Sequence, residues 1–139
     1  MSEANYGRFA AFSFVDEIIS DEVGKAIVGK YFIPEQAPDF RQALCCEAVG
    51  QCAALSAMAA QDFQYQPVAG ITRSVDFLAE ANPGDVLDLQ SELTRCDELA
   101  VTYKGVASVD GKEVVALHGC LGPMSVSYTH LTLPTICSV

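Results

Sequence analysis

One stretch of the chain, residues 41–61 with the sequence RQALCCEAVGQCAALSAMAAQ, is apolar on nearly every side. Its many Ala, Leu and Met residues favour a helix, and only Gly50 and one β-branched residue oppose it. Pro38 and Asp39 place the start of the helix at about residues 39–41, and Pro67 prevents its continuation. A helix without a wide polar stripe belongs inside a fold. We therefore predict a buried central helix around which the rest of the chain is arranged.

One carboxylate, Glu47, interrupts this apolar helix, and Gln51 follows one turn later on the same face. Burying an ionised carboxylate without partners is costly, so an acid in this position indicates a functional site. We predict that Glu47 is the active group and that Gln51 orients it. The alternatives are a structural helix acid and a glutamine that only packs at an interface. Cys45 and Cys46 are conceivable nucleophiles, but packing is favoured because no histidine is near in sequence.

The bulk composition limits the class of protein. A chain of 139 residues forms one domain. Its formal charge of -10 disfavours nucleic acid and anionic membranes as partners, and we expect no membrane span. No secretion signal is recognisable, which predicts a cytoplasmic protein. The six cysteines form no CxxC pattern and are expected to be reduced, and neither a metal nor a cofactor is implied.

Most of the remaining chain alternates in the manner of β-strands. An antiparallel sheet that follows a single buried helix must curl around it, so the architecture is α+β. One sheet cannot cover so apolar a helix on all sides, and we expect a second subunit to cover the rest. The predicted elements are a hairpin over 12–32 with its turn at 20–24, a loop over 33–38, and a meander of four strands over 68–79, 86–95, 100–109 and 113–121, with turns at 82–85 and 110–111.

The C-terminal residues 126–139 carry no charge and no regular pattern. The segment VSYTHLTLPT within them resembles a translation of the transposase adapter used to prepare sequencing libraries. This predicts a single domain over 1–125 and a non-native tail over 126–139. Side chains of the tail are therefore left out of the functional argument, and His118 is the one histidine that remains.

Four short motifs carry a family resemblance: EAVGQ at 47–51, VAGI at 68–71, NPGD at 82–85 and VASVDGKEV at 106–114. Together they resemble the β-hydroxyacyl-acyl-carrier-protein dehydratases, without obvious gaps from about residue 12 to residue 121. The resemblance implies a hot-dog fold, in which a curled antiparallel sheet wraps around one long central helix. It also implies a homodimer or a larger homo-oligomer.

The resemblance assigns chemical roles to individual residues. Dehydration of a 3-hydroxyacyl thioester needs a base for the α-proton and an acid for the departing hydroxyl. Glu47 falls on the family's helix acid, which works with a loop histidine across the dimer interface. A count without gaps places Ile33 at that histidine. It places Arg41 and Gln42 at the Pro-Gly whose backbone N–H polarises the thioester carbonyl, and Gly70 of VAGI is a further substrate-binding candidate.

Three basic side chains are weaker candidates. His118 lies on the last predicted strand and is either a satisfied sheet histidine or a relocated acid–base partner of Glu47. Arg41 and Arg73 could bind the phosphate of a phosphopantetheine arm.

Three functions remain open from the sequence. The first is dehydration of an acyl thioester carried by acyl carrier protein or coenzyme A, as in fatty-acid biosynthesis. The second is thioester hydrolysis, in which Glu47 acts as base or nucleophile and no histidine is needed. The third is a non-catalytic or half-site subunit that supplies Glu47 to a histidine-bearing homologue.

Overall fold

A computed structural model describes residues 13–36, 42–68 and 70–126. Within these residues, seven antiparallel strands form one curled sheet around a single helix, which is the predicted hot-dog architecture. The strand order is β1-β2-β5-β6-β7-β3, and β4 also lies beside β7. The elements are β1 (Glu17–Glu22), β2 (Ala26–Phe32), α1 (Gln42–Ala60), β3 (Tyr65–Pro67), β4 (Ile71–Phe77), β5 (Val86–Cys96), β6 (Ala100–Val109) and β7 (Lys112–Val126).

The predicted central helix is confirmed as α1, although the residues just before it, 37–41, lie outside the described part of the chain. By length and composition α1 could cross a membrane. Within the fold it is instead the core helix, because one face packs on the sheet through small side chains that allow a close approach. The buried residues of that face are Cys45, Ala48, Val49, Cys52, Ala53, Ser56 and Ala57.

The first hairpin is confirmed, with its turn later than predicted. β1 continues through Glu22, and the turn lies at residues 23–25, where Gly24 adopts a positive φ of 77°. The buried hydroxyl of Ser56 accepts a hydrogen bond from Gly24 N at 3.0 Å and donates one to Asp21 Oδ1 at 2.7 Å. The helix therefore fixes the position of the turn, a tertiary contact that local residue preferences do not reveal.

The predicted meander of four strands is wrong in its first member. β5, β6 and β7 do form a meander, but β4 pairs with β7, with Ile71 opposite Leu121 and Phe77 opposite Val115. Both edges of β5 are already taken, because β2 pairs along one of them and β6 along the other. The chain must therefore place β4 at the far side of β7.

The turns of the sheet follow their sequence signals. Asp110 and Gly111 have φ values of 49° and 81°, as a tight two-residue hairpin turn requires. In the NPGD turn, Asn82 N donates to Asp85 Oδ2 at 2.8 Å. β7 extends past the predicted end to Val126, where it pairs with Tyr65 of the unpredicted strand β3. Residues 127–139 lie outside the described part, so the domain limits and the non-native tail stay predictions.

Candidate active site

A pocket of about 390 Å³ opens between α1 and the sheet. It brings together three of the predicted site residues, Glu47, Gln51 and Gly70, which come from distant parts of the sequence. The other residues that line it come mainly from α1, β4, β6 and β7 and include Cys46, Gly50, Ile71, Thr72, Val101, Tyr103, Leu117 and Leu121. Apolar side chains outnumber the polar ones, but polar and apolar groups contribute nearly equal shares of the exposed lining.

Glu47 is exposed in the single chain, whereas the sequence predicted a buried acid. The reason is that the sheet covers only one face of α1, and Glu47 lies beside that face, where the pocket keeps the sheet away from the carboxylate. Gln51 Nε2 donates a hydrogen bond to Glu47 Oε1 at 3.3 Å. Gln51 Oε1 accepts one from Phe14 N at 2.7 Å. Because both ends of the carboxamide are engaged, the geometry supports the predicted orienting role of Gln51.

Gly70 lies against the backbone of β7. A Cβ at this position would come within 1.7 Å of Leu121 O, so no other residue fits without a shift of the main chain. This close approach already explains the glycine, and a role in substrate binding remains a prediction.

Gln42 is the first residue of α1, and its side chain does not line the pocket. Gln42 Nε2 donates to Ala79 O, which attaches the start of the helix to the segment after β4. The predicted polarising group is the backbone N–H of this first turn, where helical N–H groups have no partner within the helix. Arg41 lies outside the described residues.

His118 and Arg73 are both exposed and do not line the pocket at Glu47. His118 Nε2 lies 3.1 Å from Asp76 Oδ2, and its ring lines a different cavity, of about 530 Å³, together with residues of β2, β5 and β6. Arg73 packs beside Gly119. Within one chain the structure therefore does not bring His118 to Glu47.

Ile33, which stands where the resemblance places the histidine, belongs to the hydrophobic core. It is 3% exposed. Its backbone N donates to Asp85 O at 2.9 Å, and its carbonyl accepts from Gly84 N at 2.9 Å. Among the residues described, no histidine lines the pocket.

Three pocket or near-pocket groups were not predicted: Tyr103, Thr72 and Cys120. Cys120 of β7 lies opposite Thr72 of β4 and opposite Tyr103 of β6, so the three side chains are neighbours on one face of the sheet. Burial is the main cause that raises the pKa of the Tyr103 hydroxyl, and the nearby Cys120 thiol and Glu47 carboxylate raise it further. One signal was available in the sequence, because Tyr103 shares a strand face with the buried Val101 and a buried tyrosine hydroxyl needs a partner.

The helix thiols are poor nucleophiles here. Burial raises the pKa of Cys45 to about 11, and burial together with the neighbouring Cys120 raises the pKa of Cys46. Both thiols are thus protonated at neutral pH, which favours the packing interpretation. Among the described residues, no group of three His, Cys, Asp or Glu side chains is arranged to hold a metal ion.

The fold and the pocket together define a hot-dog protein with a helix carboxylate at its candidate site. Solved structures with the same fold include a hypothetical thioesterase with coenzyme A from Streptococcus pneumoniae, with a TM-score of 0.61, 14% identity, and coverage of 91% of this chain and 97% of that chain. A dehydratase heterocomplex from Xenorhabdus doucetiae gives a TM-score of 0.61, 13% identity, and coverage of 91% of both chains. At these identities the likeness shows the fold alone.

Sequence relatives are more specific. No family model matches the chain. The 3-hydroxyacyl-acyl-carrier-protein dehydratase FabZ of Clostridium botulinum strain Loch Maree is 35% identical over 116 residues, covering 74% of this chain and 79% of the relative. The FabZ of strain Hall is 34% identical over 114 residues, covering 73% and 78%. The chain therefore belongs to the FabZ dehydratase family.

Proposed function

We propose that this protein binds acyl thioesters in the pocket at Glu47 and interconverts 3-hydroxyacyl and 2-enoyl thioesters. The observation that carries the proposal is the position of Glu47, which lines the pocket between the helix and the sheet and accepts a hydrogen bond from Gln51. The family relatives are named as dehydratases of this substrate class. The thioester is carried by acyl carrier protein or by coenzyme A.

A single carboxylate can perform both proton transfers. In the dehydration direction, Glu47 removes the proton from C2, and the electron pair of that bond forms the C2–C3 double bond. The C3 hydroxyl leaves and takes the same proton back from Glu47, so that water and the 2-enoyl thioester are released. Glu47 is ionised before and after the reaction, so the proton transfers do not require a histidine as a second acid or base.

We also infer that a second copy of the chain completes the site. One edge of β4 has no strand beside it among the described residues, and hydrophobic side chains on or just after β4 are strongly exposed: Ile71 at 69%, Phe77 at 56% and Leu78 at 54%. Ile71 also lines the pocket. A partner that covers β4 would bury these side chains and enclose Glu47.

A cytoplasmic location fits the five free cysteines of the described residues.

The test is an assay for the hydration of 2-enoyl thioesters of several chain lengths, carried on coenzyme A or on acyl carrier protein. The loss of the enoyl absorbance measures the rate of hydration. We expect turnover by the wild type and a fall in kcat of about 10²-fold or more in Glu47→Gln. Glu92→Gln is the matched control, because Glu92 pairs with Lys104 on the surface at 3.3 Å and does not line the pocket. Absence of turnover on every substrate would overturn the proposal.

Thioester hydrolysis is a second candidate, and the absence of a histidine among the described lining residues favours it. Here Glu47 would activate water or attack the thioester carbonyl directly. Release of free thiol from the same substrates, lost in Glu47→Gln, would identify this activity. Enoyl hydration without thiol release would exclude it.

A half-site subunit is the third candidate. In this case Glu47 serves a site to which a histidine-bearing homologue contributes the second group, and the solved heterocomplex from Xenorhabdus doucetiae shows that dehydratases of this fold can be assembled from different chains. Mixing with such a homologue should then create activity that neither chain has alone. An active homodimer would contradict it.

A further inference from the structure

Tyr103 brings a hydroxyl group into the pocket from β6. Its ring lines the pocket beside Gly50. A Cβ placed on Gly50 would lie only 3.0 Å from the Tyr103 hydroxyl oxygen, so the missing side chain leaves the space that the hydroxyl occupies. The close approach of the Tyr103 hydroxyl thus explains why α1 has a glycine, its only one, on the side that faces the pocket.

The same geometry places the hydroxyl close to Glu47. Gly50 follows Glu47 by three residues, so the two lie on one face of the helix about 5 to 6 Å apart. In an acyl thioester the C2 hydrogen and the carbonyl oxygen are on neighbouring carbon atoms. The Glu47 carboxylate is near enough to the Tyr103 hydroxyl to raise its pKa, and both side chains line one pocket, so a bound acyl thioester can contact both groups at once.

We propose that the Tyr103 hydroxyl donates a hydrogen bond to the thioester carbonyl oxygen while Glu47 removes the C2 proton. Negative charge develops on that oxygen when the proton leaves, and a neutral donor aimed at it lowers the barrier. No proton leaves Tyr103 in this step. The inference rests on the proposed function, since it assigns a second catalytic residue to the same pocket.

Two observations support the assignment. Tyr103 lies opposite Cys120 in the sheet, and a thiol sulfur is only a weak acceptor, so it competes little with a carbonyl oxygen for the hydroxyl. Burial raises the pKa of Tyr103, which keeps the phenol protonated at neutral pH and suits a hydrogen-bond donor better than an acid that must ionise.

The decisive measurement is the infrared spectrum of a bound 2-butenoyl-coenzyme A that is isotopically labelled at its carbonyl carbon. It is made in Glu47→Gln protein so that the ligand is not consumed. We expect the carbonyl stretch to move to lower frequency on binding, and this shift to disappear when Tyr103→Phe is added. In otherwise wild-type protein, Tyr103→Phe should lower kcat for hydration by about 10²-fold with little change in KM.

Gly50→Ala provides a second variant that keeps the hydroxyl but forces it to move. Alanine is the better helix former by about 1 kcal/mol, so a loss of fold is not expected to explain a loss of the infrared shift. Tyr65→Phe is the matched control, because Tyr65 lies on β3 and does not line the pocket. It should leave the shift and the rate unchanged.

The outcomes separate the two proposals. A shift that persists in Tyr103→Phe overturns the role of Tyr103 even if hydration occurs. A shift that depends on Tyr103 in a protein without hydration activity supports the donor and overturns the proposed reaction. If neither the Glu47→Gln protein nor the wild type binds the ligand, both the proposed reaction and the donor role of Tyr103 are overturned.

Discussion

The side chain of Gln51 joins Glu47 to the segment that precedes β1. Its Nε2 donates to Glu47 Oε1 at 3.3 Å, one helical turn away, while its Oε1 accepts the backbone N–H of Phe14 at 2.7 Å. The carboxamide is suited to this bridge because it donates at one end and accepts at the other. Glu47 is therefore linked through Gln51 to a segment that lies 37 positions away from Gln51 in sequence.

Gln51→Glu should reduce activity while the protein stays folded. The new carboxylate can still accept from Phe14 N, but it cannot donate to Glu47 and places a like charge one turn away. We expect kcat for enoyl-thioester hydration to fall by about 10-fold or more, with an unchanged circular dichroism spectrum. Gln64→Glu, an exposed residue outside the pocket, has the same change in charge and should keep wild-type kcat. Full activity in Gln51→Glu would show that the bridge does not position the base.

Ile33→His tests whether a histidine at the family position restores a second catalytic group. Ile33 is buried in the core of this chain, so the imidazole would replace apolar contacts and lack a partner. We expect a loss of about 3 kcal/mol in the free energy of unfolding and no gain in hydration rate. Ile33→Val, which only removes a methylene, should cost about 1 kcal/mol. A faster enzyme of unchanged stability would mean that position 33 reaches the site in the assembled protein. Urea unfolding and the hydration assay provide both measurements.

Asp97 should contribute stability that is lost in acid. Its pKa is lowered to about 2, first by the hydrogen bond from Arg95 and then by the backbone N–H groups of Leu99 and Ala100. A lowered pKa in the folded state means that the contribution is complete above the ordinary value of 3.8 and disappears as the pH falls toward about 2. The urea midpoint of the wild type should therefore exceed that of Asp97→Asn at neutral pH, and the two should converge in acid.

The control for this experiment is Glu98→Gln, which removes one negative charge from the same turn. Its difference from the wild type should vary less with pH than that of Asp97→Asn. A difference for Asp97→Asn that is constant from neutral pH to acid would contradict the linkage between the Asp97 hydrogen bonds and folding.

Several elements followed from local signals. The apolar helix, the Asp110-Gly111 turn and the alternating strands were predicted because helix propensity, turn conformation and side-chain period act over a few residues. The pairing of β4 with β7 and the short strand β3 were missed. These depend on which sheet edges are free after the whole chain is packed, and no local pattern encodes that.

The candidate site divides in the same way. The contact between Glu47 and Gln51 followed from an acid and an amide spaced one turn apart on an apolar helix, because that spacing alone places them on one face. The exposure of Glu47, the burial of Ile33, the position of His118 with Asp76, and the approach of Tyr103 to Gly50 were decided by the tertiary structure. The sequence determined which groups α1 carries. Only the packing of a curled sheet against one face of that helix determined which groups meet, because contacts between residues far apart in sequence depend on strand order and register.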